Sequence, residues 1–116
     1  MADTGPVTPV RPAVITFPAE IDMANADQFG EQLTSALASG VITVVADMTA
    51  TTFCDSSGIR RLVMAHKQAA ANNAELRVVI PSARVLRDLA ITKVDTVLLI
   101  YPSLDAALAP EPHATV

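Results

Sequence analysis

Short runs of β-branched and aliphatic residues alternate along this chain with segments whose apolar positions recur at helical spacing. Val14-Ile15-Thr16-Phe17 predicts a short strand, behind a lead containing Pro6, Pro9 and Pro12 that has room for at most an edge strand at Val7 to Val10. A first helix is expected from Asn25, whose side chain can cap the opening turn, with Gln28 three residues on as a weak capping box. Phe29, Leu33, Ala36 and Leu37 then share one face, and Gly40 ends the helix.

From Val41 to Asp47 only Thr43 interrupts the apolar run, which predicts a central strand covered on both faces. After a short connection, Asp55-Ser56-Ser57-Gly58 opens a second helix with Ile59, Leu62, Val63, Ala69 and Ala70 as its buried stripe, fading at Asn72-Asn73. Leu76 to Ile80 is the next strand, stopped by Pro81. Ser82 is placed to cap a helix burying Val85, Leu86 and Leu89. Thr96 to Tyr101 then predicts a last strand, and Ser103 a cap for a terminal helix with Leu104, Ala107 and Leu108 inward. Pro110 and Pro112 mark a loose tail.

Strands alternating with helices at crossover length predict an α/β fold with a mainly parallel sheet. Four to five strands and about four helices are expected in one domain, residues 1–116, with its core at about 7–109 and the tail at 110–116. In such sheets the loops after the carboxyl ends of the strands gather on one edge and form the binding site. Asp22 and Asp55-Ser56 fall there, so that edge is expected to be acidic before any modification.

Composition fits a small α/β domain. The chain has 116 residues, 51% of them apolar, with no Trp and only 3% aromatics, so Val, Leu, Ile, Ala and Met must build the core. Cys54 is the only cysteine, which rules out a disulfide within one chain and agrees with a reducing cytosol. No apolar run approaches the roughly 20 residues of a membrane span, and the Pro-rich, acidic N-terminus does not resemble a signal sequence. A soluble cytoplasmic protein is expected. The net charge of −4 gives no general attraction to nucleic acid. It is uneven: residues 1–55 hold seven acids and one base, residues 56–116 seven bases and five acids, and the sign reverses at the Asp-Ser-Ser-Gly segment.

The chemistry of that segment follows from its position. The first turn of a helix has unpaired amides and the positive end of the dipole, and Gly58 would leave room for a phosphate or another backbone. A serine there is exposed and oriented. On spacing alone, capping explains the Asp, Ser and Gly as well as phosphorylation does.

The stretch from Val44 to Ile59 resembles the phosphorylation-site signature of anti-sigma factor antagonists, the small STAS-domain proteins. Two further segments are similar to the same family: Pro18-Ala19-Glu20-Ile21-Asp22 before the first helix, and Leu89-Ala90-Ile91-Thr92-Lys93-Val94 at the end of a later one. The resemblance runs from about residue 7 to residue 109 and implies the STAS fold. It also implies a switch, not an enzyme. The unphosphorylated form would bind an anti-sigma factor that is also a serine kinase, freeing the sigma factor. ATP-dependent phosphorylation at Ser56 would end that binding, and a phosphoserine phosphatase would reset it. Ser57 would be a neighbouring cap or minor site, and Asp22, Asp55, Ser56, Ser57, Gly58 and Arg60 the partner-binding set. A monomer or weak dimer is expected, with no cofactor, metal, membrane or nucleic acid. The alternative is a non-switching STAS scaffold or accessory subunit of a sensory or lipid-transport complex.

The chain departs from the family pattern at Ala19, at Ile59-Arg60, at Asn72-Asn73-Ala74 and at Lys93, which stands where glycine is usual. Arg60 and Arg61 read either as contacts for an acidic partner or as a solvated face.

An enzymatic reading fails for want of a base. Ser56 sits at a strand-to-helix turn like a hydrolase nucleophile, but Gly-x-Ser-x-Gly is absent and the only histidines are His66 and His113. His66 lies about 15 Å further along the helix axis, and His113 sits in the tail. Cys54 reads as a small apolar residue closing the loop, since there is no second thiol to resolve it. The acids and histidines show no metal-ligand spacing and no Gly-rich phosphate loop occurs.

Overall fold

The computed structural model describes residues 11–109. The edge strand expected at Val7 to Val10 and the tail at 110–116 lie outside the described residues. Four strands form a parallel sheet in the order β1-β3-β5-β6: β1 (Ala13–Thr16), β3 (Thr43–Asp47), β5 (Glu75–Val79) and β6 (Leu99–Tyr101). A separate parallel pair joins β2 (Glu20–Ile21) to β4 (Phe53–Cys54). The helices are α1 (Ala26–Ala38), α2 (Ser56–Ala71), α3 (Ala83–Ile91) and α4 (Leu104–Leu108).

The register sorts side chains strictly by face. Val44 lies opposite Ala13 and Leu76, and Ala46 opposite Ile15 and Val78, all turned toward one main core with Leu33 and Leu37 of α1, Leu62 and Ala65 of α2, and Val85 and Leu89 of α3. Burying each such Leu or Val contributes about 1.5–3 kcal/mol. On the other face, Val45 and Val79 are covered by α4 through Ala107, with Tyr101 and Leu104 beside them. Coverage on both sides is why Val44, Val45 and Ala46 are all inaccessible.

Arg77 sits in the centre of this second face, a charged residue where periodicity alone would place an apolar one. Its guanidinium donates to the Ala107 and Ala109 carbonyls at 2.7 and 3.0 Å and to Glu75 Oε2 at 2.7 Å, and it lies 5.6 Å from the Tyr101 ring centroid. The carbonyls that end α4 have no intrahelical partner, so the arginine caps them and ties the short helix to the sheet.

Several expectations need correction. The last strand starts at Leu99, not Thr96, because Val94–Thr96 forms a 3-10 turn and the amides of Thr96, Val97 and Leu98 bond back to Lys93 or Val94 carbonyls. Lys93 opens that turn in the left-handed region at φ 64°, where a glycine costs less. In α2 the buried stripe is Gly58, Leu62, Ala65 and Ala69; Ala70, one residue past it, is exposed. Leu108 is also exposed, since α4 has little more than one turn and buries only Ala107. Asn25 does precede α1 but makes no side-chain cap.

Candidate functional site at the ends of β2 and β4

The short pairing of β2 with β4 brings the two candidate loops side by side. Asp55 N donates to Ile21 O at 3.0 Å and Thr52 N to Ala19 O at 2.8 Å, so the backbone of one loop holds that of the other. Thr51, fully buried, donates its hydroxyl to Pro18 O at 2.7 Å and anchors the connection from below. From α3, Arg84 lies over the Phe53 ring at 5.6 Å.

At the start of α2, Asp55 is the cap. Its Oδ1 accepts from Ser57 N at 2.9 Å and Gly58 N at 3.3 Å, satisfying two of the amides that a first turn leaves open. Ser56 is therefore the first helical residue, exposed, and its hydroxyl makes no hydrogen bond among the described residues; nor does that of the half-buried Ser57. Ser57 is not the cap its position suggested. Two of the amides expected to favour a phosphate are already taken by a carboxylate, those of Ser57 and Gly58.

Gly58 also has a different role from the one expected. It is buried, and a Cβ there would stand 2.5 Å from Ile21 Cγ2 and 2.6 Å from Cys54 Sγ, so the missing side chain lets α2 sit directly on the β2–β4 pair. It does not open space for a phosphate. Cys54 is buried in the same contact, and desolvation, with Asp55 and Asp88 nearby, pushes its thiol from 9.0 up to about 12. Such a thiol stays protonated near neutral pH, which agrees with the apolar reading.

Asp22 lies at the opposite loop. Its Oδ1 accepts from Ala24 N at 2.9 Å, and its own amide donates to Asn25 Oδ1 at 3.0 Å, while Asn25 Nδ2 donates to Glu20 O at 2.9 Å. Asn25 is spent on this loop and not on the helix, which is why it does not cap. Asp22 and Asp55 line one open cleft of about 490 Å³ with Met23 and Ala24, the acidic edge expected.

On the other side of Met23 the surface changes character. A groove of about 440 Å³ runs between α1 and α2, lined by Met23, Ala26, Asp27, Ser56, Ser57, Arg60, Arg61 and Met64. Met23 is 81% exposed and Met64 47%, so apolar surface brackets the serine. Arg60 is exposed and makes no ion pair or hydrogen bond among the described residues. Arg61 is not a solvated residue: its side chain is 21% exposed, its guanidinium fills the place a Cβ on Gly30 would take, and Nη1 is 3.9 Å from Asp27 Oδ1. The Arg61 Nε is buried without a partner.

The groove's methionines and the Gly30 seat were missed from sequence. Gly30 carried a signal, since a glycine inside a helix costs about 0.5–1 kcal/mol against alanine and so marks a place of close approach. No cluster of three or more His, Cys, Asp or Glu among the described residues could hold a metal, and no described helix is long and apolar enough to cross a membrane. His66 borders a small cavity with Ala69, Glu75 and Leu99, away from the residues lining the serine groove.

A parallel sheet covered unequally on its two faces, with an exposed serine in the first turn of a helix at the strand ends, defines a small α/β domain. The chain belongs to the STAS domain family, whose model matches residues 6–107. Among solved structures, an anti-sigma factor antagonist from Mycobacterium paratuberculosis is 27% identical, with a TM-score of 0.71 over 84% of this chain and 82% of that one. The Bacillus cell-fate determinant SpoIIAA matches in its unphosphorylated form at 19% identity and TM-score 0.65, over 86% and 87% of the two chains. Its phosphorylated form matches at 16% and 0.62, over 83% and 87%. The murine anion transporter Slc26a9 contains the same fold at 20% identity and TM-score 0.68, over 84% of this chain and 17% of that one. No curated protein matches the sequence.

Proposed function

We propose that this protein is a cytoplasmic anti-sigma factor antagonist. Its unphosphorylated form binds an anti-sigma factor that is also a serine kinase, and the sigma factor is released. The kinase then moves the γ-phosphoryl group of ATP onto Ser56 Oγ, ADP leaves, the hydroxyl proton passes to a base of the kinase, and the complex breaks. A phosphoserine phosphatase resets the cycle.

The observation that carries this reading is the state of Ser56: exposed, its hydroxyl without a hydrogen bond among the described residues, and fixed in the first turn of α2 by a neighbouring carboxylate cap. A hydroxyl the fold does not use is available to another protein's active site. A phosphate there adds about −1.5 to −2 charges beside Asp55 and Asp27, with Asp22 across Met23. Because Asp55 occupies the Ser57 and Gly58 amides, that charge meets repulsion at the cap as well as at the partner surface. The Mycobacterium relative is an anti-sigma factor antagonist, and SpoIIAA is one that exists in both phosphorylation states.

The reading is tested by incubating the protein with ATP and candidate anti-sigma kinases and mapping phosphate by mass spectrometry. One phosphate is expected, on Ser56, absent in Ser56→Ala and retained in Ser57→Ala. Ser56→Asp is expected to weaken kinase binding by about tenfold or more, a cost of roughly 1.4 kcal/mol, with little change in melting temperature. No transfer from any cognate kinase, together with binding indifferent to Ser56→Asp, would sink the switch and favour the scaffold role.

A further inference from the structure

We propose that once Ser56 carries a phosphate, Arg60 of the same chain receives it, forming a guanidinium–phosphate clamp across the mouth of the α1–α2 groove. The proposal rests on the reading of Ser56 as a phosphorylation site and adds what the phosphorylated state looks like.

Ser56 and Arg60 are four residues apart on α2, the spacing that brings side chains about one helical turn apart into contact. Both line the same groove and both are exposed. Long helical side chains lean back toward the helix N-terminus, which sends an arginine at i+4 toward residue i. Arg60 has no competing partner among the described residues, so no ion pair must break first. Of the first-turn amides, those of Ser57 and Gly58 are already bonded to Asp55, which leaves the phosphate only that of Ser56 itself.

Other charges face the same place. Asp55 at the cap, Asp27 from α1 and Asp22 from the loop before α1 oppose the phosphate, and Arg61 supports it. Arg61 is the weaker candidate because its guanidinium is wedged over Gly30 and turned to Asp27. Arg60 is the free planar donor that can take two phosphate oxygens at once. The clamp would make phosphorylation a double change: an anion appears in the groove, and the cation that the unmodified surface offers to a partner is withdrawn.

The test needs no kinase. Phosphoserine is installed at position 56 during synthesis by stop-codon suppression, and the phosphorus-31 resonance of the folded protein is titrated across its second ionisation. The native chain is expected to ionise more readily than Arg60→Gln by about half a pH unit, roughly threefold in the ionisation constant. Arg60→Lys should fall between, because it keeps the charge and loses the fork, and Arg61→Gln should stay near the native curve. Arg60 is exposed, so circular dichroism of the variants should match. Superimposable titrations of the native chain and Arg60→Gln overturn the clamp, as does a shift that follows Arg61→Gln instead. Failure of every kinase to modify Ser56 would remove the switch reading while leaving this measurement intact.

Discussion

Two helices begin at the same edge of the sheet and satisfy their first turns in opposite ways. Before α1, Asp22, Asn25 and Glu20 bond among themselves, so the polar groups of that loop are consumed in shaping it. Before α2, one carboxylate does the capping and two serine hydroxyls are left over. Both loops lie at the strand ends where binding sites form in such sheets. Only the second leaves reactive groups unused, so the α1 start works as support and the α2 start as the exchangeable surface.

Each helix also holds one glycine in a close approach, and these separate the two most strongly. At Gly58 a methyl group would meet Ile21 and Cys54 in the packed seam between β2 and β4, neither of which can swing away. Gly58→Ala is expected to destabilise by about 1–3 kcal/mol through overpacking, outweighing the 0.5–1 kcal/mol or so that alanine gains in a helix. At Gly30 the obstacle is the end of the flexible Arg61 side chain, which can move into solvent. Gly30→Ala should be neutral or slightly stabilising. Paired thermal melts decide it: a Gly58→Ala protein that melts with the native chain would show that α2 is not seated on the β2–β4 pair as described.

Much of the first comparison could be read from sequence, and the missing parts share a cause. The buried run Val44-Val45-Ala46, the Asp55-Ser56 turn and the Ser82 and Ser103 caps follow from periodicity and local hydrogen-bonding capacity, which a short window of residues contains. The β2–β4 pair has two residues in each strand, too few to show any period. Arg77 in a central strand makes sense only with the α4 carbonyls some 30 residues away, and the use of Asn25 depends on Asp22 and Glu20 folding back over it. The geometry of the Asp55-Ser56 turn was local and legible; the groove beside it, built from α1 and α2 together, was not.

Exchanging the amide and acid at the two helix starts gives a smaller and more specific effect. Asp55→Asn keeps an acceptor for the Ser57 and Gly58 amides and should cost only a few tenths of a kcal/mol, whereas Asp55→Ala should cost about 1 kcal/mol. Asn25→Asp removes the donor that holds Glu20 O and places a third carboxylate beside Asp22 and Glu20, so it should cost about 1 kcal/mol as well. Amide exchange locates the damage. Asp55→Ala should speed exchange at Ser57 and Gly58, whereas Asn25→Asp keeps an acceptor for the Asp22 amide, so exchange there should stay slow and its cost should show only in overall stability. If Asn25→Asp proved as mild as Asp55→Asn, the two starts would be interchangeable caps and the division of labour between them would fail.

The smallest expected change is the most informative about the serine. Since neither hydroxyl bonds within the described residues, Ser56→Ala and Ser57→Ala should each shift stability by less than about 0.5 kcal/mol. Ser82 provides the internal standard, because its hydroxyl accepts from Val85 N at 3.3 Å to cap α3, and Ser82→Ala should cost about 1 kcal/mol. Denaturant titration of the three variants under one set of conditions makes the comparison. A Ser56→Ala loss as large as that of Ser82→Ala would mean that the hydroxyl serves the helix after all. A small loss would instead mean that the fold can spare the Ser56 hydroxyl, so that a change at this exposed position alters the surface without loosening the domain beneath it.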